Sequence, residues 1–198
     1  MKLLNDLTIQ QIVARGAAFL LLAAILGGAI ALAAALAERR RDWRRVGDVF
    51  AHVSIPGLVM AVLFRQGWLR LLAPMPGRAG ALAAWGAALV VPVLLVIATR
   101  QLRPVLADWG LGPWSRFGMT FIEEFQMIAA GVWVFSLIPL PPLAGFYLLA
   151  AAAPRACARL ARWSDAFAVA LMVALVAGWI PALGGRALLW MLWLGGAW

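Results

Sequence analysis

The chain is 198 residues long, 65% hydrophobic and only 13% charged, with a formal net charge of +9. A soluble domain is about half apolar and about a quarter charged, so the composition excludes an ordinary soluble fold and predicts an all-α polytopic membrane protein. A single cysteine, Cys157, excludes an internal disulfide and a cysteine metal cluster, and the dispersed arginine charge points to cytoplasmic loops and anionic headgroups rather than to nucleic acid.

Met1 to Gln11 carries Lys2 and Asp6 and no small-residue cleavage site, so no removable signal peptide is expected. The first span is read as Val13 to Ala37, long enough to cross a bilayer with tilt. Its Gly27-Gly28 pair and its alanine run suit close helix packing. Glu38 to Arg45 follows, with Arg39, Arg40, Arg41, Arg44 and Arg45 in one short loop, the strongest positive-inside signal in the chain. This places the loop in the cytoplasm.

A second span is expected over Val46 to Phe64, broken by Pro56-Gly57, and a third over Ala79 to Thr99 with Pro92 inside it. Pro74 and Pro76 mark the connector between them as turn-rich. Arg100 to Arg116 reads as a polar, Trp-bearing loop, and Gly118 to Ile138 as a fourth span. Pro139, Pro141 and Pro142 then force a non-helical break. Backbone of that kind survives at membrane depth only inside protein or around trapped water.

Leu143 to Ala153 reads as a half-helix, since its eleven residues reach only about 16 Å. Pro154 to Asp165 is a connector bearing Arg155, Arg159 and Arg162, and Ala166 to Trp198 is a long apolar stretch interrupted at Pro181 to Arg186. Five to seven helices in one transmembrane domain, residues 1–198, are expected. Of the eleven tryptophans, Trp43, Trp68, Trp109, Trp114, Trp163, Trp190 and Trp198 fit an interfacial belt. Trp85, Trp133 and Trp179 lie deeper, where packing between helices is expected.

Four blocks in order carry a family resemblance. Ser136-Leu137-Ile138-Pro139-Leu140-Pro141-Pro142-Leu143-Ala144-Gly145 resembles the "asparagine, leucine, proline, x, proline, proline, leucine, aspartate, glycine" signature of the site-2 proteases, intramembrane zinc metalloproteases. Ala51-His52-Val53-Ser54-Ile55-Pro56-Gly57 is similar to that family's "histidine, isoleucine, aspartate, proline, x, glycine, threonine" motif. Gly67-Trp68 with Pro74-Met75-Pro76 resembles its "glycine, tryptophan, alanine, lysine, proline, valine, proline" connector, and Ala153 to Trp163 its basic helix. The resemblance covers about Ala29 to the C-terminus and implies the family's membrane core.

The resemblance also implies a missing centre. Ala144 stands where the family has its aspartate zinc ligand, and Ser136 where it has asparagine. The helix matching the His-Glu-x-x-His motif, Ala23 to Leu36, holds no His and no Glu. Ser136, Pro139, Pro141, Pro142, Ala144 and Gly145 are therefore degenerate motif positions, with no catalytic and no metal residues expected.

Four polar residues remain as a candidate polar or ligand site: Asp48, His52, Glu123 and Glu124. Asp48 lies one turn before His52, so a helix would pair them on one face, as a packing anchor, a haem or pigment ligand, or a proton relay. Glu123 and Glu124, about one turn into the fourth span, read as an interfacial pair or a buried proton site. They point about 100° apart on a helix and form no obvious dyad. Cys157 reads as a packing or surface thiol.

The expectation is a non-catalytic, site-2-protease-like subunit of a larger membrane complex, in a bacterial inner membrane. Its expected partners are other integral membrane proteins and lipids, with no cofactor and no nucleic acid. The alternatives are a pigment-, haem- or proton-handling subunit using His52 or the Glu123/Glu124 pair, and an active intramembrane metalloprotease.

Overall fold

The computed structural model describes residues 8–39, 47–108, 112–179 and 183–194. The described secondary structure is entirely helical. Eight α-helices run in order: α1 (Ile9–Ala37), α2 (Ile55–Phe64), α3 (Arg78–Asp108), α4 (Pro113–Ser136), α5 (Phe146–Ala152), α6 (Pro154–Ala161), α7 (Ser164–Val176) and α8 (Leu183–Leu194), with a 3₁₀ turn at Val49–His52. The count exceeds the expected five to seven because the expected Pro154 to Asp165 connector contains a helix of its own, α6, too polar for hydropathy to register.

Four helices, α1, α2, α4 and α6, begin at a side-chain cap or an N-terminal proline. Thr8 caps α1 through a reciprocal pair, its hydroxyl accepting from Gln11 N–H and the Gln11 side chain accepting from Thr8 N–H. Ser54 caps α2, accepting from Gly57 N–H at 3.3 Å, with Pro56 in its first turn. Proline also opens α4 and α6.

Two stretches are long and apolar enough to cross a membrane by length and composition, α1 and Arg78–Leu106 of α3. With α4 they form the central core, each packing against the other two. Glu38, just past the end of α1, accepts from Gly77 N–H ahead of α3, so α1 and α3 run antiparallel. Gln10 and Trp114 line one cleft, so α1 and α4 start at the same end. Small residues form the seam: Ala14, Ala18, Ala23, Ala31 and Ala34 of α1, and Ala81, Ala84 and Ala88 of α3, are all buried. Ala31 and Ala34 of the expected alanine run are therefore spent on close packing inside the fold.

The expected second span is not one helix. Residues 49–52 form a 3₁₀ turn, Ser54 restarts the chain, and α2 has ten residues, about 15 Å. Arg65 then turns at φ +58°, and the chain returns extended. Arg70 N–H donates to the His52 carbonyl at 2.9 Å. Gly57 and Gly67 let the two limbs touch, since a Cβ on either would overlap the other limb's backbone. The result is a hairpin whose ends lie beside the C-terminal end of α1 and whose tip reaches toward its start.

The expected Arg100–Arg116 loop is likewise mostly helix, since α3 continues to Asp108 with Pro92 and Pro104 inside it. The long C-terminal stretch divides into α7 and α8. α8 lies along α4, with Gly184 against Met127 and Gly131, and Trp190 stacked on Trp133 at 5.4 Å. Trp68 is buried rather than interfacial, and Trp179 is exposed rather than packed. Trp43, Trp109, Trp198, Pro181 and residues 40–46 of the arginine loop lie outside the described residues.

Candidate functional site

The interior between α1, α4 and the hairpin holds the buried charge. Glu124 is only 3% exposed. Arg15 Nε of α1 lies 3.1 Å from its Oε2, and Arg65 Nη2 at the hairpin tip donates to its Oε1 at 2.8 Å. The Arg15 contact is an ion pair without an aligned N–H···O bond, while Arg15 Nη1 donates to the Val62 carbonyl of α2 at 2.8 Å. One carboxylate thus joins three elements. Glu123, one residue earlier, is exposed. The expected Glu123/Glu124 pair is split as the helical geometry requires, and only Glu124 belongs to the interior.

A second polar knot lies on another face of α4. Gln126 is fully buried; its Oε1 accepts from Arg103 Nη2 at 2.8 Å and its Nε2 donates to Thr99 Oγ1 at 3.1 Å. It ties α4 to α3. The sequence pointed to Glu124 but not to its two arginine partners, nor to the Gln126 knot. The available signal was Arg15, an ionisable residue inside an apolar span.

Asp48 and His52 do not form the expected helical pair. Asp48 caps the 3₁₀ turn, its Oδ1 accepting from Ala51 N–H at 3.2 Å. His52 turns inward, 2% exposed, and its ring lies against Gly27 of α1, where a Cβ would overlap it. The turn separates the two because four residues of 3₁₀ geometry do not place positions four apart on one face. His52 thus meets the Ala23 to Leu36 segment that the family resemblance matches to the zinc helix. A cleft of about 260 Å³ beside it is lined by Ala51, His52, Arg70, Leu71, Leu72 and Ala73.

The proline-rich block follows α4. Ser136 is buried, its Oγ donating to the Val132 carbonyl at 2.8 Å and its own carbonyl accepting Trp85 Nε1–H at 3.0 Å. Gly145 is required by close approach, because a Cβ there would overlap the Ile138 carbonyl. Only part of Pro139 to Ala144 lies inside the domain. Pro139 and Leu140 are exposed, Pro142 and Ala144 half-buried, and Pro141 and Leu143 buried. Leu143 packs in a satellite core with Met60, Trp68, Phe135 and Leu175, and Ala144 packs against the main core. Tyr147, just beyond, accepts Leu72 N–H at 2.7 Å and joins α5 to the hairpin's return limb.

Cys157 is buried on α6, and burial pushes its thiol up from the ordinary range. No cluster of three His, Cys, Asp or Glu occurs among the described residues. Comparison with family models, with curated proteins and with solved structures finds no match.

Proposed function

We propose that the chain is an integral protein of a bacterial inner membrane, built on a site-2-protease-like core without its zinc centre, and that it works by contact as a non-catalytic subunit of a membrane complex. The carrying observation is the inward face of α1. Ala23, Leu26, Gly27, Ile30, Ala31 and Ala34 are all buried there, where the family resemblance would put two His and a Glu. That face is filled by packing and offers a metal no donor. Outward faces support the membrane reading. Leu20, Leu21 and Ile25 of α1, Val90 and Leu94 of α3, and Val169 and Val173 of α7 are exposed, as in a helix that is apolar all round.

Proton handling is the second reading, favoured by the burial of Glu124. Both of its oxygens are engaged by guanidinium groups, so a structural anchor describes it better than a relay. Three measurements test the proposal. Alkaline extraction of membranes should leave the chain in the pellet, and gently purified protein should hold no stoichiometric zinc and co-migrate with a second membrane protein in fixed ratio. About one tightly held zinc per chain, or a lone chain that cleaves a membrane peptide, would overturn it.

A further inference from the structure

We infer that the cleft between the starts of α1 and α4 is a seat for the phosphate headgroup of an anionic lipid, an inference that rests on the membrane reading above. The cleft measures about 460 Å³ and is lined by Gln10, Trp114, Arg116 and Phe117. Among the described residues its lining is one-sided in charge. Arg116 brings a guanidinium that forms no ion pair among the described residues, and Gln10 brings an amide that can donate. No acidic residue is among these lining side chains. A guanidinium fork matches a phosphate in charge and geometry.

The aromatic pair decides between a lipid and a small free phosphate. Trp114 is 85% exposed, a large apolar surface beside a cation, and Phe117 is only half-buried. Indole and phenyl rings suit the glycerol and upper acyl region of an amphiphile at the membrane interface. The cleft lies at the level where α1 and α4 begin, which is headgroup depth if both helices cross.

The test uses full-length protein in mild detergent, supplied with equal amounts of phosphatidylglycerol and phosphatidylcholine, with retained lipid counted by native mass spectrometry. Phosphatidylglycerol should be retained in preference. Arg116→Gln should lower its retention about fivefold, the worth of one basic residue at an anionic surface, while Arg155→Gln on α6, outside the cleft, should not. Equal retention of the two lipids, or no loss in Arg116→Gln with an unchanged melting temperature, overturns the inference. Displacement by millimolar glycerol phosphate overturns the lipid assignment in favour of a free phosphate. Release of the chain by alkaline extraction would defeat the membrane reading itself. Firm membrane retention without lipid preference defeats this inference alone.

Discussion

At the scale of single residues, stability is concentrated where a side chain has no room or no substitute. Gly27 is one such place, because the His52 ring occupies the position its Cβ would take. Gly27→Ala should cost about 1–3 kcal/mol, the usual range for overpacking, read as a lower melting temperature in detergent. In the double variant Gly27→Ala/His52→Ala the added methyl finds space, so the combined loss should fall well below the sum of the single losses; strict additivity would show the two groups do not touch. Glu124 is the other place. Glu124→Ala leaves Arg15 buried and unpaired, which costs about 3–5 kcal/mol when one partner of a buried pair is removed. Arg15→Met/Glu124→Met should recover much of that loss, and a double variant as unstable as Glu124→Ala would show the charges are needed for more than each other. Cys157 behaves differently because burial raises its thiol pKa. It should react with maleimide more slowly at pH 7 than a free thiol and speed up as pH rises. The sign for stability follows from the same shift: the folded chain holds the proton longer than the unfolded one, so this contribution is lost as pH climbs past the ordinary thiol range.

At the scale of elements, the hairpin built on α2 is the feature that departs furthest from a hydropathy reading. Pro56-Gly57 signalled a break, but a broken span and a hairpin share that signal. What separates them is contact between residues far apart in sequence. Gly57 meets Trp68, Arg70 meets the carbonyl of His52, and Glu38 meets Gly77. None of these pairings has a period that a single sequence displays. The long apolar helices were legible for the opposite reason, since composition and length alone mark them. Ser136 and Gly145 were picked out through the motif they resemble, whereas Arg65 was not, because its importance comes from Glu124 lying between it and Arg15. The hairpin makes a clear prediction. Its two limbs should open toward one side of the membrane, so single cysteines at Ala51 and Ala73, in a Cys157→Ser background, should be labelled by an impermeant reagent from the same face. Labelling from opposite faces would mean that this stretch crosses.

At the scale of the whole molecule, sidedness follows from the antiparallel packing of α1 with α3 and the common start of α1 and α4. The arginine-rich loop, most of it outside the described residues, leaves from the C-terminal end of α1, where Glu38 accepts from Gly77 N–H. Short loops of dense positive charge stay cytoplasmic. The ends of the hairpin share that side. α1 has 29 residues, about 43 Å along its axis, more than the roughly 30 Å hydrocarbon layer. On the proposed membrane reading, in which α1 crosses, its start emerges on the far side, together with the start of α4 and its exposed Trp114 and Arg116. In a Cys157→Ser background, Ala73→Cys should react with an impermeant maleimide only in inverted membrane vesicles, and Trp114→Cys only in intact cells. If both react from the same side, α1 does not cross, and the three-helix core lies along the membrane or outside it. If the two sides are exchanged, α1 still crosses but the positive loop faces outward. The first result would remove the membrane-spanning core on which a protease-like architecture depends; the second would leave that core and reverse only its orientation.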